Sequence, residues 1–82
     1  MRLDKFLNAT NLTKRRAVAR DMCDSGVVLV NGVVSKPSKE VRIDDLITLR
    51  FLESSATYKV LKLPTLKNIP KSQRDEYVKK LE

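Results

Sequence analysis

Lys14-Arg15-Arg16, with Arg20 following four residues after Arg16, is the densest set of ligand-binding side chains in the N-terminal half of this 82-residue chain. Arg2 and Lys5 precede it, and Lys36 and Lys39 follow it. A guanidinium presents a rigid fork of donors that matches phosphate oxygens, and an ammonium adds a point charge. Residues 16 and 20 are four apart and share one helical face. Lys14 and Arg15 are expected in the first turn of that helix, where backbone N–H groups also favour an anion. Asp4 stands beside these cations and is expected to orient Arg2 or a helix arginine through a charged hydrogen bond. The chemistry offered is therefore phosphate binding. A merely solubilising charged face has the same composition, so position has to decide between the two.

The elements expected to position these cations are short. Leu3, Phe6 and Leu7 recur at helical spacing, with Arg2, Asp4, Lys5 and Asn8 on the wetter side. Asn8 to Leu12 reads as a turn, and Thr13 is expected to cap a second helix with Ala17, Val18, Met22 and Cys23 facing inward. Gly26 falls where a helix stops in the left-handed conformation. Val30-Asn31-Gly32-Val33 predicts a type I′ hairpin that sets Val30 opposite Val33 and Leu29 opposite Val34. Lys36 to Lys39 leaves the hairpin as a loop, placed to close the other side of a groove walled by the helices. After the Asp44-Asp45 turn, Leu46 to Phe51 alternates as a strand with Ile47, Leu49 and Phe51 on one face. Glu53-Ser54-Ser55 reads as a turn, and Tyr58 to Leu63 as a further strand ended by Pro64. Leu66 and Ile69 are expected to pack back on the domain. Ser72 with Asp75 suggests a capping box opening a last helix, with Tyr77 and Leu81 on one face and Lys79, Lys80 and Glu82 solvated. The fold class is α+β: two N-terminal helices on a small, mostly antiparallel sheet, with a short C-terminal helix. Residues 1–63 form the main domain and residues 64–82 an extension.

Composition narrows the chemistry further. Net charge is +7, which attracts polyanions such as nucleic acid or an anionic surface. Aromatic residues make up only 5%, so single strands stacked on aromatic platforms are a poor fit, whereas shape and phosphate recognition remains open. The chain has no histidine, and its carboxylates lie beside cations or in turns, so the inventory argues against catalysis. Gly26 and Gly32 are the only glycines, too few for a phosphate-cradling loop. Cys23, the single cysteine, reads as a small buried hydrophobe. No cofactor or metal is implied. The charged N-terminal residues carry no long apolar run, so neither a signal peptide nor a membrane anchor is expected, and the cytoplasm is the default location. Cations held on a helix joined to a hairpin suit the fixed phosphates of structured RNA. With four to six phosphate contacts, binding should fall with salt at a log–log slope of about −0.7 to −0.9 per contact. The cations from Lys59 to Lys80 read as solvation or long-range attraction.

Arg2-Leu3-Asp4-Lys5-Phe6-Leu7, Lys14-Arg15-Arg16-Ala17, Ser25-Gly26-Val27 and Val30-Asn31-Gly32, in this order and spacing, resemble the RNA-binding domain named after small-subunit ribosomal protein S4. The resemblance covers about residues 2–51 and is strongest to the stand-alone bacterial members, the RqcP ribosome-quality-control factors and the related heat-shock protein of dissociated large subunits. It implies helices on a curved sheet, and binding to a large ribosomal subunit that still carries peptidyl-tRNA. It also implies that the P-site tRNA is held while an RqcH-type partner directs alanine tailing of the stalled chain. Carried over by position, contacts to large-subunit ribosomal RNA and tRNA fall to Arg2, Lys5, Lys14, Arg15 and Arg16, with Asp4 orienting them. The family usually has Gly-Asp where this chain has Asp44-Asp45, and Asp44 is expected to take the turn with altered loop geometry.

Two rival readings predict different behaviour. A helix-turn-helix-like DNA-binding regulator would be a dimer with a palindromic preference, whereas the RNA reading expects a monomer. An RNA-modifying enzyme would need catalytic residues from another chain.

Overall fold

Helix α1 (Leu3–Ala9) forms where the Leu3, Phe6 and Leu7 stripe demands burial, and all three side chains are fully buried. The computed structural model describes residues 1–65 and 69–81. Arg2 precedes α1 in extended conformation without a side-chain cap. The free N–H groups of the first turn instead find partners in a distant loop: Leu3 donates to the Lys39 carbonyl at 2.8 Å and Asp4 to the Pro37 carbonyl at 3.1 Å. Lys5 N–H donates to the Asp4 carboxylate at 2.7 Å. The start of α1 is thus locked to the 37–39 loop.

The end of α1 explains where the second helix begins. Asn11 turns with φ 61°, and the N–H groups of Leu12 and Thr13 both donate to the Leu7 carbonyl at 3.0 and 3.1 Å. Thr13 therefore belongs to the wrap that closes α1, and its buried hydroxyl donates to the Arg15 carbonyl at 3.3 Å. It does not cap α2, which spans Arg16–Asp24 with extended Arg15 at the cap position. Lys14 and Arg15 accordingly precede the helix and do not form its first turn. The inward stripe also differs from expectation. Ala19 and Cys23 are buried and Met22 is partly so, while Ala17 and Val18 are exposed. Two small residues four apart let α2 approach the bulky stripe of α1 closely, and the larger Val18 is left outside. Gly26, at φ 77°, ends α2 as predicted: its N–H reaches the Cys23 carbonyl and that of Val27 the Met22 carbonyl, the paired pattern of a left-handed C-terminal cap.

The sheet contains β1 (Val28–Val30), β2 (Val33–Val34), β3 (Leu46–Arg50), β4 (Ser55–Val60) and β5 (Val78–Leu81), in the spatial order β2-β1-β3-β4-β5. Every pairing is antiparallel. The β1–β2 register is the one the sequence predicts, Leu29 opposite Val34 and Val30 opposite Val33, with Asn31 and Gly32 at φ 53° and 82°. Asn31 also ties this turn to β3: its carboxamide accepts from Leu46 N–H at 3.0 Å and donates to Asp45 at 3.1 Å. Asp44 takes a positive φ of 75°, which aspartate tolerates better than most residues. Val28, Val30, Ile47, Leu49, Val60 and Val78 point toward the helices and build the core with Leu3, Phe6, Leu7, Ala19, Cys23 and Val41.

The last strands depart from the sequence reading. Strand β4 begins at Ser55, because the ladder with β3 runs back to Arg50 opposite Ser55, and it ends at Val60. Phe51 lies beyond β3 and is half-exposed. The expected C-terminal helix is a 3-10 helix confined to Lys71–Glu76, with no side-chain cap from Ser72. Residues 78–81 are strand β5, in which Val60 faces Val78 and Lys59 faces Lys79. An open edge on β4 offers backbone partners that a short isolated helix cannot match. Ile69 packs back as expected, buried, with its N–H on the Ala9 carbonyl. Leu66 and Glu82 lie outside the described residues.

Cys23 is almost fully buried, and burial, reinforced by the charges of Asp4 and Asp24, pushes its thiol up to about 11. Little thiolate exists near neutral pH, so the side chain is inert packing. Iodoacetamide at neutral pH should label the native protein far more slowly than the urea-unfolded chain. Equal rates would show an accessible thiol.

Candidate nucleic-acid interface

At the centre of the cation set is a carboxylate that the sequence places on the wet side of α1. Asp4 is completely buried. Arg2 grips it with two hydrogen bonds, Nε to Oδ1 and Nη2 to Oδ2, both 3.2 Å. Arg16, the first residue of α2, reaches Oδ2 through Nε at 3.3 Å. Burial alone pushes the Asp4 carboxyl up, but the hydrogen bonds from Arg2, Lys5 N–H and Arg16 outweigh it and hold the group below its ordinary 3.8. Asp4 is therefore ionised at neutral pH. Both arginine side chains remain about half exposed, at 50% and 48%. Each is anchored at one edge of its guanidinium and open at the other, the arrangement that fixes a cation while leaving donors for a phosphate.

The surrounding cations are placed mainly through the backbone. Asn8 on α1 donates its carboxamide N–H to the Lys14 carbonyl at 3.3 Å, which pins the segment between the helices. Sequence reasoning did not pick out Asn8, and a lone helix asparagine carries no pattern that would identify it. The bonds from Leu3 and Asp4 to the 37–39 loop bring Lys39 beside the start of α1, and Arg2 forms a β-bridge with Glu40. Lys36 and Lys39 line a groove of about 460 Å³ along the β1–β2 hairpin, with Val33 and Val34 as its apolar wall. Lys5, Lys14, Arg15, Arg16, Arg20, Lys36 and Lys39 are all exposed. Arg2, Asp4 and Arg16 are drawn into direct contact, whereas no ion pair ties down Lys5, Lys14, Arg15 or Arg20 among the described residues. Among those residues, no helix is long and apolar enough to cross a membrane.

The paired helices, the β1–β2 hairpin and the Arg2–Asp4–Arg16 cluster all fall within the first 47 residues. The S4 domain family matches residues 1–47, and the chain belongs to that family. It is 47% identical over 78 residues to the RQC P-site tRNA stabilizing factor of Helicobacter pylori strain J99, covering 95% of this chain and 93% of that protein. Among solved structures, the trimeric heat shock protein 15 of Vibrio cholerae superimposes with a TM-score of 0.89 at 33% identity, over 99% of this chain and 81% of that one. A hypothetical protein solved in solution gives 0.86 at 43% identity, over 100% of this chain and 98% of that one.

Proposed function

We propose that this chain binds the large ribosomal subunit carrying peptidyl-tRNA and stabilises the P-site tRNA, which supports alanine tailing of the stalled chain by an RqcH-type partner. The observation that carries this reading is the Arg2–Asp4–Arg16 cluster, two half-exposed guanidiniums fixed on one buried carboxylate. The similarity to tRNA-stabilizing factors over nearly the whole chain supports the choice of ligand. Residues 1–63 act as the RNA-binding unit, and residues 64–82 are an extension whose strand β5 (Val78–Leu81) is the last of the sheet. Arg2, Lys5, Lys14, Arg15, Arg16, Arg20, Lys36 and Lys39 meet ribosomal RNA and tRNA phosphates, with Asp4 as the orienting acid. The protein works as a cytoplasmic monomer by docking and positioning, without catalysis.

The DNA-binding alternative has no support. Helix α2 runs into the β1–β2 hairpin, and its leading arginine is tied to a carboxylate instead of being held out toward base edges. Crosslinking in cells with mapping of the RNA tests the proposal. Crosslinks should concentrate on the large-subunit interface and P-site tRNA. A scatter over messenger RNA or over DNA would reject it.

A further inference from the structure

Helices α1 and α2 pack on the face that carries Val28, Val30, Ile47 and Leu49, and on the other face Leu29 of β1 is buried beside Thr48. On that other face, β3, β4 and β5 present Leu46, Thr48 and Arg50, then Thr57 and Lys59, then Lys79 and Leu81. Leu46, Arg50 and Lys79 are exposed, and Thr48, Thr57, Lys59 and Leu81 are half-buried. Lys59 and Lys79 are direct cross-strand partners, a placement in which like charges destabilise a sheet. Asp44 approaches Lys59 at 3.7 Å and offsets one of the two. No acid lies within ion-pair distance of Lys79 or Arg50 among the described residues. Between the two charged ends, the Thr48 and Thr57 hydroxyls meet at 3.0 Å. Arg50 stands four residues from Leu46, the partner of Lys59, so the stripe is roughly 13 Å long.

We propose that this open sheet face is a second RNA-backbone surface. The inference rests on the proposed function and adds a second RNA contact to it. Arg50, Lys59 and Lys79 bind phosphates, and the threonine hydroxyls between them suit a ribose-phosphate chain. No aromatic residue lies in the stripe, so contact is through backbone and shape, without base stacking. The molecule measures 27 × 27 × 21 Å, and the Arg2–Arg16 cluster belongs to the helical layer on the opposite side. One duplex lying on the helices does not reach the sheet's far face. The chain therefore joins two separate RNA elements, and the repulsion between Lys59 and Lys79 is relieved when the second one binds.

The test is the number of short blunt RNA duplexes held per chain at physiological salt, read by native mass spectrometry, with circular dichroism confirming the fold of each variant. The wild-type chain should hold two. A variant carrying Arg50→Ala, Lys59→Ala and Lys79→Ala should hold one, and the same sites changed to Gln should behave alike. Removing equal charge elsewhere, by Lys62→Ala, Lys71→Ala and Lys80→Ala, should leave two. Wild-type saturation at one duplex overturns the proposal, as does a sheet variant that still holds two or a charge control that loses one. Failure of the underlying reading looks different: an Arg2→Ala, Arg16→Ala variant would then still hold two.

Discussion

Co-sedimentation with large ribosomal subunits should weaken about tenfold when Arg16 alone becomes alanine, and about 100-fold when Arg2 is replaced as well. A hydrogen bond to a charged group contributes about 1.5–3 kcal/mol, and each 1.4 kcal/mol is a factor of ten in affinity. The log–log salt slope should become shallower by about 1.4 to 1.8 for the pair, at 0.7 to 0.9 per lost phosphate contact. Both arginines are about half exposed, so neither substitution opens a void in the core. The double variant nevertheless leaves the buried Asp4 carboxylate with only the Lys5 N–H, which destabilises the fold. The cleaner comparison is Arg2→Lys with Arg16→Lys, which keeps the charge and removes the fork. Weakened binding in that variant assigns the loss to geometry. Unchanged co-sedimentation of all variants at physiological salt would reject the assignment of these residues to the RNA surface.

Asp4→Asn carries the second large effect, and it acts through other residues. The variant keeps the shape of the side chain and removes the charge that fixes two guanidiniums. Stability should fall by about 1–3 kcal/mol, the range for one buried polar group whose partners lose their match. RNA affinity should fall although net charge rises by one, the opposite of what a purely electrostatic surface predicts. The pH dependence has a definite sign. The folded-state pKa of Asp4 lies below its unfolded value, so its contribution is fully present above the unfolded value of 3.8. That contribution is lost as pH falls through the lower folded-state value. Thermal melts from neutral to acid pH should therefore show a smaller acid-induced drop in Asp4→Asn than in the wild type. Identical curves would mean that Asp4 is not held ionised by the arginines.

Residues close in sequence made much of the fold readable in advance. Asn31-Gly32 and Gly26 take the positive φ their types allow, and that fixed both the hairpin register and the end of α2. The α1 stripe was equally plain, because burial of Leu3, Phe6 and Leu7 follows from spacing alone. The start of α2 was not, because Thr13 looks like a cap but its N–H is taken by the Leu7 carbonyl of the preceding helix. Strand β5 is not legible in the sequence for a related reason. Its partner is β4, some twenty residues earlier, and local signals favoured a helix over residues 72–81.

The sequence by itself therefore determined the basic charge, the cation order, the helix-to-hairpin join and the lack of histidine chemistry. Only the tertiary structure decided that Asp4 is buried and holds Arg2 and Arg16 together, that the 37–39 loop caps α1, and that Lys59 meets Lys79 on an open sheet face. Composition and periodicity report a residue's own preference and that of its near neighbours. Whether a charge is paired, and with which other charge, depends on contacts between segments that only the folded chain brings together.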